Sequence, residues 1–72
     1  MVSVNGVNIE YKTDMELMTA IEKFIASPEG EIFKTEHYFV VLNDKFLSDD
    51  YLKDIVLKDN SVIKVYPLTE GG

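Results

Sequence analysis

Val2-Ser3-Val4-Asn5-Gly6-Val7-Asn8-Ile9-Glu10-Tyr11 is the stretch that decides the fold. Apolar residues alternate with polar ones on both sides of Asn5-Gly6, the period of strands with one buried face. Asn-Gly suits the two positive φ angles of a two-residue type I′ turn. That turn sets the register: Val4 opposite Val7 and Val2 opposite Ile9, all four on one face of a hairpin. A ribbon with one apolar face must bury it against another element.

The cover follows directly. Thr13-Asp14-Met15-Glu16 matches a capping box, with Thr13 as N-cap and Glu16 at N3, and predicts a helix from there to Ala26 or Ser27. Leu17, Ile21, Phe24 and Ile25 form one stripe at the 3.6 period, flanked by Met18, while Glu16, Glu22 and Lys23 lie outside it. Pro28 and Gly30 end the helix. Residues 28–37, with Ile32 and Phe33 in a polar setting, read as an ordered loop or one extra turn of helix.

Beyond it, Tyr38-Phe39-Val40-Val41-Leu42 is a β-branched and aromatic run, hence a strand. Asn43-Asp44 turns it and Lys45-Phe46-Leu47 returns as a short strand. Tyr51–Val56 holds a helical turn, and Leu57-Lys58-Asp59-Asn60-Ser61 is a tight turn. Val62-Ile63-Lys64-Val65-Tyr66 is the last strand, stopped by Pro67. The order hairpin, helix, strand, short strand, strand predicts an α+β roll. One main helix packs on one face of a four- to five-stranded mixed sheet, the β-grasp arrangement. A ferredoxin-like fold would need a second full helix between residues 43 and 61, and the Tyr51–Val56 stretch is too short for one.

Composition narrows the function. The 72 residues make one small domain, residues 1–67, followed by a tail, 68–72. Hydrophobic residues make up 46% and charged residues 28%, as in a folded domain rather than a disordered one. Seven basic against 13 acidic residues give a net charge of −6, which disfavours nucleic acid. The absence of cysteine excludes disulfides, thiolate metal sites and a cysteine nucleophile. No apolar run is long enough to span a bilayer, and Met-Val-Ser-Val-Asn-Gly is no signal peptide, so the expected location is cytoplasmic. A core this small has little room for a cleft, which favours a binding module or carrier over an enzyme. Asp49, Asp50 and Asp54 lack EF-hand spacing and read as a loop or N-cap cluster, and His37 as a strand-edge residue, so no metal site or catalytic residue is expected.

Gly71-Gly72 closes the sequence after a strand, a proline and a short aperiodic stretch. Two terminal glycines alone mean only a frayed end. Behind a compact head they describe a tail of the smallest cross-section, which a narrow channel could admit for chemistry on a terminal carboxylate. Four stretches together resemble one family across nearly the whole length: Val2-Ser3-Val4-Asn5-Gly6, Val40-Val41-Leu42-Asn43-Asp44, Leu57 to Val65, and Gly71-Gly72. The chain resembles the ThiS/MoaD family of small β-grasp sulfur carriers, relatives of ubiquitin, and is closest to the ThiS type. It departs from the family at Asp44, where glycine is usual, at Asn60-Ser61 in place of Gly-Asp, and in a longer 28–37 segment. Asn60 tolerates the left-handed region, so that turn can survive.

The resemblance implies a cycle in which the chain is substrate and carrier. An adenylating enzyme of the ubiquitin-activating type (ThiF/MoeB-like) uses ATP to convert the Gly72 carboxylate to an acyl-adenylate. Sulfur from a persulfide donor then leaves a thiocarboxylate on Gly72, with no cofactor bound by the chain itself. The acceptor would be thiazole synthase in thiamine synthesis. Pro67-Leu68-Thr69-Glu70-Gly71-Gly72 also resembles the MoaD branch, whose partner is the large subunit of molybdopterin synthase. A ubiquitin-like modifier conjugated through Gly72 is the alternative of a different class. By analogy with the family, Tyr38, Val40 and Leu42 point to the helix, leaving Phe39 and Val41 on the far face. Lys64 implies that Ile63 and Val65 point inward and Tyr66 outward. Phe39, Val41, Tyr66 and Leu68 are thus the expected partner-docking residues. The competing expectation is that the 28–37 segment covers this face through Ile32 or Phe33.

Overall fold

The computed structural model describes residues 1–35, 37–47 and 49–68, without the side chains of residues 49–51. Its elements are β1 (Val2–Val4), β2 (Val7–Ile9), α1 (Leu17–Ala26), a 3-10 helix (Pro28–Lys34), β3 (Tyr38–Leu42), β4 (Lys45–Leu47), a second 3-10 helix (Asp49–Asp54) and β5 (Val62–Pro67). The five strands form one mixed sheet in the order β2-β1-β5-β3-β4. Only the β1–β5 pair is parallel; β1–β2, β3–β4 and β3–β5 are antiparallel. This is an α+β fold of the β-grasp arrangement, with the first and last strands side by side in the middle of the sheet.

The hairpin has the expected register, Val2 opposite Ile9 and Val4 opposite Val7. Asn5 at φ 50° and Gly6 at φ 82° supply the two positive angles of its turn. Asn43 and Asp44 do the same for β3–β4, at φ 48° and 68°. An aspartate is tolerated here because its short polar side chain is among the few that visit the left-handed region. Asn60 makes the turn before β5 at φ 69°. Ser61, buried beside it, donates its hydroxyl to the Lys58 carbonyl at 2.6 Å.

The helix begins later than its capping signature predicts. Asp14 sits at φ 62° in a turn, and no side chain caps the first turn of α1. Glu16 is extended instead, at φ −84° and ψ 148°, just before the helix. Leu17 N–H donates to the Ile55 carbonyl at 2.9 Å, and Leu57 N–H donates to the Met15 carbonyl at 2.7 Å, around a Glu16–Val56 bridge. The extended alternation buries Met15 and Leu17 together and points Glu16 to solvent. Once begun, α1 follows its stripe: Leu17, Ala20, Ile21 and Phe24 are buried, with Met18 and Ile25 partly so.

The 28–34 segment is a 3-10 helix started by Pro28, the helical one of the two expected readings. Gly30 lets it turn tightly against α1, since a Cβ there would lie 2.1 Å from the Phe24 carbonyl oxygen. The turn drives Phe33 into the core, 5.8 Å from the Phe24 ring and edge-on to Tyr38 at 5.9 Å. The core is therefore one-sided. Val2, Val4, Val40, Ile63 and Val65 on one sheet face meet α1 and Phe33. Each large side chain fully buried here contributes on the order of 1.5–3 kcal/mol.

Candidate functional site

Strand alternation sends the other side chains to the opposite face. There β5 presents Val62, Lys64 and Tyr66, β3 presents Phe39 and Val41, β4 presents Phe46, and the hairpin presents Ser3 and Asn8. The β3–β5 register places Phe39 opposite Tyr66 and Val41 opposite Lys64. The β3–β4 register places Val41 opposite Phe46. Phe39 stacks on Tyr66 with ring centres 5.1 Å apart and planes at 22°, and meets Phe46 at 5.5 Å. The result is an aromatic strip across three strands, backed by Val41 and Val62.

The strip is open to solvent at its outer members. Phe46 is 63% exposed, Val62 47% and Tyr66 41%. Leu68 is 48% exposed and continues the sheet, its N–H donating to the His37 carbonyl at 2.8 Å. The expected docking residues Phe39, Val41 and Tyr66 thus share one face, and Leu68 lies on the strand that leads away from it. The expected cover is not built: Phe33 turns into the core on the helix side, and Ile32 stays exposed. Phe46 is the residue that sequence reasoning missed. A two-residue Asn43-Asp44 turn pairs Val41 with Phe46, so the same logic that read the first hairpin places Phe46 beside Val41.

The strand leading toward residue 68 is held on both sides by asparagines. Asn5 Oδ1 accepts from Val65 N–H at 2.7 Å and its Nδ2 donates to the Val65 carbonyl at 3.0 Å. The amide thus extends the β1–β5 ladder past the point where β1 turns away. From the other side, Asn43 Oδ1 accepts from Val62 N–H at 2.8 Å. Where β1 departs, a groove of about 530 Å³ opens beside β5, lined among others by Asn5, Gly6, Phe33, Tyr66 and Pro67. It holds no paired acid and base or nucleophile–base set.

Gly71 and Gly72, the expected sulfur-carrying residues, lie outside the described residues. Among the described residues no group of histidines and carboxylates could hold a metal ion, and no helix is long and apolar enough to cross a membrane. His37 is exposed. Comparison with known proteins finds no matching family model, no similar curated protein and no similar solved structure.

Proposed function

We propose that this protein is a sulfur carrier of the ThiS type, serving thiazole formation in thiamine synthesis. It docks through its outer sheet face and reacts at the Gly72 carboxylate. One observation carries the reading: a central strand of a β-grasp sheet, hydrogen-bonded through Leu68, runs in sequence directly into Thr69-Glu70-Gly71-Gly72 beside an uncovered aromatic face. The head then needs no catalytic cleft, since the reacting atom would sit in the partner's active site.

In the proposed cycle a Gly72 carboxylate oxygen attacks the α-phosphorus of ATP, forming the acyl-adenylate and releasing pyrophosphate. A donor persulfide then attacks the acyl carbon and expels AMP. A thiol cleaves the resulting sulfur–sulfur bond, leaving the thiocarboxylate on Gly72 and a disulfide on the donor. Adenylation is needed because a carboxylate is a poor electrophile and AMP a good leaving group. The chain contributes no acid or base to these steps.

The test is ATP–pyrophosphate exchange with the ubiquitin-activating-type adenylating enzymes of the source organism. Wild type should support exchange, and deletion of Gly72 should abolish it while leaving the melting temperature unchanged. Equal exchange with and without Gly72, or none with any of these enzymes, would remove the proposal. Conjugates to lysines in place of a thiocarboxylate would assign the chain to the protein modifiers.

A further inference from the structure

Asn5-Gly6 is open to water yet tied to the last strand. Both residues are exposed, and a Cβ built on Gly6 would meet nothing within 4 Å. Three hydrogen bonds join Asn5 to β5. Its backbone N–H donates to the Ile63 carbonyl at 3.0 Å, its Oδ1 accepts from Val65 N–H at 2.7 Å, and its Nδ2 donates to the Val65 carbonyl at 3.0 Å. The proposed carrier chemistry makes no use of this amide.

An asparagine followed by glycine carries its own nucleophile. The Gly6 nitrogen, with no side chain beside it, attacks Asn5 Cγ, forming a carbon–nitrogen bond that closes a five-membered ring. The Cγ–Nδ2 bond breaks, and Nδ2 leaves as ammonia with the proton that Gly6 gives up. Water then opens the ring at either carbonyl, leaving aspartate or isoaspartate. One water is consumed, one ammonia is released, and the chain gains one negative charge. The other asparagines, Asn8, Asn43 and Asn60, precede Ile9, Asp44 and Ser61, whose side chains hinder the same attack. We propose that Asn5-Gly6 is a self-modification site held shut by β5: it deamidates only when the Asn5 amide releases Val65, and the products restore at most half of that contact.

The native turn blocks ring closure twice. Asn5 is left-handed, at φ 50°. In that region ψ is about +47°, which sets Cβ on the far side of the Cα–C bond from the next nitrogen, whereas the ring needs the two side by side. The amide carbon is also pinned between its two bonds to Val65. Both restraints fall when the turn parts from β5, so the rate follows the population of that opening. The products differ from asparagine at the contact itself. An aspartate still accepts from Val65 N–H, but it sets its second oxygen against the Val65 carbonyl, two acceptors with no proton between them. Isoaspartate adds a backbone atom to the two-residue turn whose register pairs Val4 with Val7. Each event thus loosens β5 on the side facing β1. This inference rests on the hairpin and β5 alone and is independent of the carrier chemistry.

Timed incubation of the full chain in mildly alkaline buffer tests it, one sample native and one in concentrated urea. Ion exchange separates the more acidic product, and peptide mass mapping locates it. In urea Asn5 should deamidate before Asn8, Asn43 and Asn60. In the native sample Asn5 should react at least about tenfold more slowly than in urea. Across a series of low urea concentrations its rate should rise in proportion to hydrogen exchange at Val65 N–H. The variant Asn5→Asp, which reproduces one product, should exchange that N–H at least about tenfold faster than wild type. Equal Asn5 rates in the two samples, another asparagine reacting first in urea, a native rate that ignores Val65 exchange, or wild-type exchange at Val65 in Asn5→Asp would each overturn the proposal.

Discussion

The two faces of this sheet use similar side chains to opposite ends. On the inner face Val2, Val4, Val40, Ile63 and Val65 are at most 2% exposed, closed over by α1 and Phe33. On the outer face Phe46, Val62 and Tyr66 range from 41% to 63% exposed. In β5 the two sets interleave, Val62-Ile63-Lys64-Val65-Tyr66, apolar on both sides except at Lys64. Strands apolar on both sides belong to sheets covered on both sides. Among the described residues the cover lies on one side only, so the inner face accounts for the fold and the outer face is where the proposed partner would dock.

That contrast can be broken from the inside first. Phe24→Ala removes a ring packed on Phe33 and 1% exposed, and should cost about 3 to 5 kcal/mol in chemical denaturation. Against a total of roughly 4–10 kcal/mol for a domain this size, that is unfolding or close to it. Gly30→Ala comes next. The added Cβ meets the Phe24 carbonyl, a backbone group that cannot step aside, and should cost about 2 to 3 kcal/mol in the same measurement. Asn5→Gly keeps the positive φ and removes only the amide bonded to Val65. A loss of about 1 to 2 kcal/mol, with faster hydrogen exchange at Val65 N–H, is expected. Smallest is Phe46→Ser, the outer counterpart of Phe24→Ala. It loses one exposed ring contact with Phe39 and should change stability by less than about 1 kcal/mol. A Phe46→Ser loss as large as that of Phe24→Ala would dissolve the distinction between the faces.

The parts of the fold that were legible in the sequence are those set by neighbours along the chain. Asn5-Gly6 demands its turn whatever surrounds it, and the turn dictates which valines face each other. The 3.6-residue stripe of α1 was legible for the same reason. The helix start was not. Thr13 and Glu16 match a local cap, but Met15 and Leu17 bond residues 55–57, some forty positions away, and that pairing holds the segment extended. The first 3-10 helix was likewise decided at a distance, by the space beside Phe24 into which Phe33 fits.

At the candidate site, Phe39 and Val41 were legible from alternation together with the family resemblance, and Tyr66 from Lys64. Phe46 was accessible by the same arithmetic through the second asparagine turn. Gly71-Gly72 remains a matter of sequence, and its chemistry a proposal.

The most direct measurement of the central proposal is the intact mass of the protein purified from its source under non-reducing conditions, followed by fragmentation from the C-terminal side. The account predicts a fraction heavier by the replacement of one oxygen with sulfur, with the whole increment on the fragment that ends at Gly72. Protein of unmodified mass throughout, or an increment located elsewhere in the chain, would contradict it.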